Sequence, residues 1–346
     1  MSAKLVIGAN GFLGSHVTRQ LIADGHEVRA MVRPNAMTVG IDDLPVTRFH
    51  GDIWDNDTLR EAMAGVDDVY YCVVDARGWL RDPTPLFRTN VDGTRNVLEI
   101  AKDAGLHRFI YTSSYVTVGR RRGHVASEDD IIVDGGEMSP TNRLRGLTPY
   151  VRSRAQAENI VLKYATQHGL PAVAMCVSTT YGSGDWGRTP HGAIIAGAAF
   201  GKLPFVMSGI ELEAVGVDDA ARAMILAGER GRQGERYLIS EKMISNADVV
   251  RIAAEAAGVP APTKSIPLPV SYALATAGSI KAKLRGTDER LSLGSLRLMR
   301  AEAPVDHGKA VRELGWAPRP VEESIREAAR FWVGLRDAKR KSKTAN

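Results

Sequence analysis

The feature that most constrains this chain is a glycine triplet set directly behind a short apolar run. Leu5-Val6-Ile7 leads without a break into Gly8-Ala9-Asn10-Gly11-Phe12-Leu13-Gly14, after which apolar Val17, Leu21 and Ile22 recur at helical spacing. A strand that turns at once into a helix, with glycines three residues apart, has a physical reading. Gly8 makes the turn tight, Gly11 lets the backbone approach a pyrophosphate, and Gly14 lets helix and strand pack closely. The first N–H groups of the helix have no partner inside it and face the anion. The triplet therefore predicts a dinucleotide bound along Gly8, Asn10, Gly11, Phe12, Leu13 and Gly14.

The first half continues in the same rhythm. Short β-branched or apolar runs predict strands over 4–7, 27–32, 47–50, 68–73, 108–112 and 172–177. Helical patterns lie between them at 12–24, 58–64, 86–105 and 150–168. Strands alternating with helices require a parallel sheet covered on both faces, so the chain is read as α/β, a doubly wound parallel sheet with a smaller C-terminal lobe. The dinucleotide domain is placed at 1–180, with 213–240 returning to it. Residues 181–212 and 241–335, which include Pro260, Pro262, Pro267 and Pro269, form the substrate lobe, and 336–346 a basic, flexible tail.

Charge removes one class of partner. The formal net charge is +5, but Arg336, Lys339, Arg340, Lys341 and Lys343 against Asp337 supply +4 of it at the C-terminal end. The rest of the chain is nearly neutral, so no basic groove for nucleic acid is indicated. Cys72 and Cys176 sit in separate apolar runs and read as free buried thiols, which fits a reducing compartment. The residues ahead of Leu5 are too few for a signal core, and no run of about eighteen apolar residues occurs, so a cytoplasmic location with no transmembrane segment is expected. No group of side chains has metal-ligand spacing.

The second strand decides between cofactors. An NAD site wants a carboxylate about twenty residues after the triplet to grip the ribose 2′-hydroxyl. This chain reads Met31-Val32-Arg33-Pro34 there. Arg33 is suited to a 2′-phosphate, so NADP(H) is expected.

Further motifs follow in order: Gly51-Asp52-Ile53, the run Thr89-Asn90-Val91-Asp92-Gly93-Thr94, Tyr111-Thr112-Ser113-Ser114, Pro149-Tyr150-Val151-Arg152-Ser153-Arg154, Tyr181-Gly182-Ser183-Gly184-Asp185 and Val217-Asp218-Asp219-Ala220. In this sequence and spacing the chain resembles the extended short-chain dehydrogenase/reductase superfamily over nearly its whole length. It is most similar to dihydroflavonol 4-reductase-like proteins, with features of 3β-hydroxysteroid dehydrogenases and hopanoid-associated sugar epimerases. The resemblance implies a Rossmann-type fold and assigns roles. Asp52 and Ile53 lie at the adenine, Val73, Val74 and Val177 line the cofactor groove, and Asn90 sits near the nicotinamide ribose. Ser114 matches the catalytic serine and Tyr150 the catalytic tyrosine. It also implies a homodimer packed through the helices at 86–105 and 150–168.

The chemistry explains these side-chain types. Reducing a carbonyl by hydride transfer builds negative charge on its oxygen, which needs a proton as the charge appears. A tyrosine supplies it if a nearby cation lowers its pKa, and a serine hydroxyl about 3 Å from the oxygen orients it. In the family the cation is a lysine four residues after the tyrosine; here it is Arg154. A guanidinium keeps the charge but is planar, bulkier and does not deprotonate, so relay of a proton through it is in doubt.

The expected activity is NADP(H)-dependent interconversion of a carbonyl and an alcohol on a small hydrophobic molecule, with Trp79, Tyr115 and Trp186 as candidate walls of its pocket. One alternative is a nucleotide-sugar epimerase or dehydratase, which prefers tightly held NAD and so disagrees with Arg33. The other is an NADP-binding regulatory protein whose turnover Arg154 has impaired. The moderately apolar segment 270–280, followed by Lys281, Lys283 and Arg285, reads as an ordinary lobe helix in preference to one lying on a membrane.

Overall fold

The computed structural model describes residues 3–119, 123–134, 137–138, 148–289, 292–298 and 304–344. The chain opens with β1 (Ala3–Ile7), α1 (Phe12–Ala23), β2 (Glu27–Val32), β3 (Thr47–His50), α2 (Asn56–Met63) and β4 (Asp68–Tyr71). Next come α3 (Thr84–Phe87), a π-helical stretch Arg88–Gly93 and α4 (Thr94–Ala101), then β5 (Arg108–Ser114), the small hairpin β6 (Val133–Asp134) and β7 (Glu137–Met138), α5 (Pro149–Gln167) and β8 (Ala172–Val177). The remainder comprises β9 (Thr179–Tyr181), α6 (Pro190–Ala199), β10 (Val206–Met207), β11 (Glu211–Gly216), α7 (Val217–Arg230), β12 (Arg236–Ile239), β13 (Lys242–Ser245), α8 (Asn246–Ala256), β14 (Ser265–Ile266), α9 (Leu268–Arg285), α10 (Leu293–Leu298) and α11 (Val321–Thr344).

Seven of these strands make one wholly parallel sheet in the order β12-β8-β5-β4-β1-β2-β3. Alternate side chains of each strand go to opposite faces. Leu5, Ile7, Val69, Tyr71, Phe109 and Tyr111 pack under α2, α4 and α5, while Val6, Val28, Tyr70, Ile110, Val173 and Met175 pack under α1 and α7. Both faces are buried, which is why the strands read as continuous apolar runs. Strand order reverses between β1 and β4, and ligands of such sheets bind in the crevice at the carboxyl ends beside that reversal.

The lobe has its own three-stranded sheet, β13-β11-β9, with β11 antiparallel to β13 and parallel to β9. Against it α6, α8 and α11 bury Ile195, Val249, Val250, Ile325, Ala329 and Trp332. The returning segment read as 213–240 is thus divided. Helix α7 and strand β12 go back to the large sheet, whereas β11 belongs to the lobe, since Leu212 and Ala214 pack into the lobe and Val215 into the core under α7.

The expected tail is also corrected. Residues 336–344 continue α11, because a run of Arg, Lys, Asp and Ala contains good helix formers and no breaker. Cys72 and Cys176 are free thiols; Cys176 is buried, as expected, while Cys72 is half-buried.

Candidate active site

Because the sheet is parallel, the ends of its strands gather the chemistry-bearing residues on one edge. Gly8 follows β1, Arg33 follows β2, Asp52 follows β3, Val73 and Val74 follow β4, Ser114 ends β5, and Val177 ends β8 directly opposite Ser114 in register.

The glycine turn is sterically determined. Gly8 has φ +83, and a Cβ on it would lie 3.1 Å from the Val73 side chain, so the turn after β1 rests against the residues after β4. A Cβ on Gly14 would lie 2.2 Å from the Gly8 carbonyl oxygen, a distance no side chain tolerates. Helix α1 begins without a side-chain cap and without an acidic residue in its first turn, which leaves its first N–H groups for an anion. Asn10 donates its amide to the Met37 carbonyl at 3.1 Å and ties the turn to the loop behind Arg33. Phe12 stands edge-on to His16, and Leu13 packs on the core below. Arg33 is exposed, and Asp52 accepts the Trp54 N–H at 2.8 Å.

The two serines closing β5 have different fates. Ser113 is buried and donates to Glu158, whereas Ser114 is half-buried and, among the described residues, its hydroxyl accepts a long 3.5 Å bond from the Val116 N–H, as cap of a short 3₁₀ turn. Tyr150 stands in the first turn of α5, behind the Thr148 cap and Pro149, and packs on the cluster containing Tyr115. One turn on, Arg154 is 1% exposed. It donates to the Thr112 carbonyl on β5, and its guanidinium carbon lies 5.3 Å above the Tyr111 ring. Burial works against this charge, but the neighbouring Tyr111, Tyr150 and Tyr71 phenols and Glu158 outweigh it and raise its pKa. Its Nε and Nη1 are buried with no partner among the described residues.

Four of the expected site residues make contacts that the sequence did not reveal. Asn90 Oδ1 accepts the Asp75 N–H at 2.8 Å, and its Nδ2 donates to the Asp75 carbonyl and to Ser153 Oγ. It clamps the loop after β4 to α5, and the π-helical stretch carries it there. Ile53 points into the core against Gly93. Tyr115 is 5% exposed, in a cluster with Val116, Val151 and Leu238. Trp186 lies edge-on to Phe331 of α11 at 4.9 Å and beside Gly40, away from Tyr150's cluster. Trp79 is half-buried in the loop between β4 and α3, where Asp75 holds Arg77 by two bonds. Burial opposes the Asp75 carboxylate, but Arg77 outweighs it and keeps its pKa low.

Sequence reasoning missed a buried network directly under Ser114. Glu158 accepts Ser113, Thr117 Oγ1 at 2.8 Å and Cys176 at 3.2 Å, and pairs with Arg236 of β12 at 2.9 Å. Arg236 also reaches the Glu128 carbonyl at 3.0 Å. The signal was present: Glu158 falls four residues after Arg154 on the sheet-facing stripe of α5, where a carboxylate must be paired. His191 stands in the first turn of α6. Its ring meets Tyr181 edge-on at 6.2 Å, its Nδ1 is buried without a partner among the described residues, and burial pushes its pKa down to about 4, so the imidazole is neutral. Among the described residues no group of three or more potential ligands is placed to hold a metal ion.

Comparison with known proteins agrees with this geometry. Residues 4–240 match the model of the NAD dependent epimerase/dehydratase family. A putative dihydroflavonol 4-reductase from Synechocystis is 30% identical over 334 residues, 94% of this chain and 93% of that protein. Sterol demethylase protein B from Methylococcus capsulatus is 28% identical over 330 residues, covering 95% of this chain and 97% of its own. The crystal structure of gox2253 superposes with a TM-score of 0.82 at 32% identity, over 97% of this chain and 99% of that one. The chain therefore belongs to the NAD-dependent epimerase/dehydratase family of NAD(P)-binding oxidoreductases.

Proposed function

We propose that this chain is an NADP(H)-dependent reductase or dehydrogenase that interconverts a carbonyl and an alcohol on a small apolar substrate. The observation that carries the proposal is one of placement: Ser114 ends β5, Tyr150 opens α5, and one turn on Arg154 is buried against the Thr112 carbonyl of β5. The residues present fit a dinucleotide. Gly14 keeps α1 against the Gly8 carbonyl, the first turn of α1 has no acid to repel a pyrophosphate, and Arg154 has two buried nitrogens, Nε and Nη1, without partners among the described residues. Arg33, exposed at the end of β2, would pair with a 2′-phosphate. When bound, the nicotinamide supplies or accepts the hydride.

The chain's own residues do the rest. The Ser114 hydroxyl, which accepts its long capping bond, donates to the substrate oxygen. Tyr150 gives that oxygen its proton, and Arg154, charged at every working pH, favours the resulting phenolate. Val73, Val74 and Val177 give the groove apolar walls. The relatives named as a dihydroflavonol reductase and a sterol demethylase component support an apolar substrate. Titration with NADPH and NADH tests the cofactor. NADPH binds more tightly, and Arg33→Ala weakens NADPH roughly ten- to hundredfold while leaving NADH unchanged. A carbonyl screen tests the chemistry: Tyr150→Phe lowers kcat roughly 10²- to 10⁴-fold, and equal turnover by the two proteins refutes the assigned proton donor.

One observation favours a second reading, in which the chain binds cofactor without turning over. Arg154 is drawn onto the Thr112 carbonyl and the Tyr111 ring. An inert wild type that gains activity as Arg154→Lys selects this reading over the first.

A further inference from the structure

Beneath the proposed site a row of buried aromatic rings leads to a buried charge. Phe109, Tyr71 and Tyr111 share one face of the large sheet and are wholly buried. Tyr71 stacks on Phe109 with ring centroids 6.1 Å apart at 28°, and on Tyr111 at 5.7 Å and 20°. The Arg154 guanidinium lies over the Tyr111 ring, and its Nη2 donates to the carbonyl of Thr112, the next residue of β5. Its Nε and Nη1 have no partner among the described residues. Glu158, one turn further along α5, is committed to Ser113, Thr117, Cys176 and Arg236. Burial lifts the Tyr111 phenol above its ordinary value although Arg154 opposes this, so the ring under the cation is neutral.

We propose that Tyr111 is a positioning residue for the proposed reaction: its ring face and the adjoining Thr112 carbonyl seat the Arg154 guanidinium one helical turn behind Tyr150. The inference rests on Tyr150 being the proton donor. A guanidinium with two unsatisfied nitrogens is costly in a core unless its surroundings offset the burial. An aromatic face does so for a planar, weakly hydrated cation, and more strongly where water is excluded. A leucine or methionine would fill the same space against Tyr71 but attract no charge. The seat also has a geometric consequence. Ser114 ends the strand that holds the cation, three residues after Tyr111, so β5 fixes the cation and the catalytic hydroxyl as one rigid piece. An arginine released from this seat would move toward water, where its support for a Tyr150 phenolate is screened.

Steady-state kinetics of the full chain, with NADPH and the carbonyl that wild type reduces fastest, test the inference. Tyr111→Met and Tyr111→Leu, two ringless fillings of the space, lower kcat about tenfold and leave the substrate KM within about twofold. Tyr111→Phe, which keeps the ring face, restores the rate. In an Arg154→Met background the same ringless changes cost less than about twofold more, because the seat is then empty, whereas a general loosening of the core would repeat its loss in both backgrounds. Wild-type kcat in the folded ringless variants overturns the inference. So does a Tyr111→Phe as slow as they are, or a full tenfold loss repeated on Arg154→Met. Tyr150→Phe measured alongside separates the two levels. If it stays impaired while the ringless variants do not, the role of Tyr111 alone has failed; if it matches wild type, the proposed proton donor has failed and takes this inference with it.

Discussion

The carboxyl edge of the large sheet and the outer surface of the lobe are built on opposite terms. At the edge, polar groups are buried and fixed: Asn90 uses its whole amide, Glu158 holds four partners, and Gly14 leaves no room for a methyl group. On α9, apolar groups are exposed. Chemistry at an atom requires the first arrangement, since a donor displaced by an ångström loses most of its effect.

The largest expected effect tests how much the edge depends on its buried charges. Glu158 and Arg236 are 5% and 7% exposed and pair at 2.9 Å. Arg236→Met alone leaves a carboxylate uncompensated in the core and should cost about 3–5 kcal/mol in urea unfolding. Adding Glu158→Leu should recover much of that loss. If the double variant folds but Ser114-dependent turnover falls, the pair serves to position the strand end under Ser114, since Ser113 and Thr117 both bond to Glu158. Next in size is Gly14→Ala. The added methyl meets the Gly8 carbonyl at 2.2 Å, so α1 must move away from β1, at about 1–3 kcal/mol. Isothermal titration should show dinucleotide affinity falling further than stability does, because the helix N-terminus moves with α1.

The same contrast explains what was legible in the sequence. The elements around Gly8, Gly11 and Gly14 and around Ser114 and Tyr150 were readable because each lies in a fixed relation to a strand end or helix start, and a parallel sheet then carries all strand ends to one edge. The Asn90 contacts were not legible because spacing reveals which turn of a helix a residue occupies, not that the turn is π-helical and brings it to Asp75. Tyr115 and Trp186 were read as pocket walls on aromatic character alone, and packing sent one into the core beneath Tyr150 and the other to Phe331. In the lobe the sequence reading went wrong for another reason. Strand β11 is buried on both sides by different bodies, so its apolar run does not say which sheet it joins, and the charged residues after Arg336 stay helical because propensity outlasts burial.

The smallest effect lies on the seam where the two regions meet. His16 of α1 contacts Asp218 of α7 at 2.6 Å through Nδ1 and the Ser183 carbonyl at 3.1 Å through Nε2, which joins the cofactor helix to the segment leading into the lobe. The hydrogen bond from His16 holds the Asp218 carboxyl below its ordinary value of 3.8, with Arg319 assisting. A group whose pKa is lower in the folded than in the unfolded chain binds fewer protons when folded. Its stabilisation is therefore complete above the unfolded value and disappears as pH falls through the folded one. The Asp218 side chain is 41% exposed, so solvent screening limits the contribution to about 0.5 kcal/mol. Asp218→Asn should lower the melting temperature slightly at neutral pH and converge with wild type in acid below the carboxylate range. A gap that persists unchanged in acid would mean that the contact acts through shape, not charge, and that the seam is held like the buried edge.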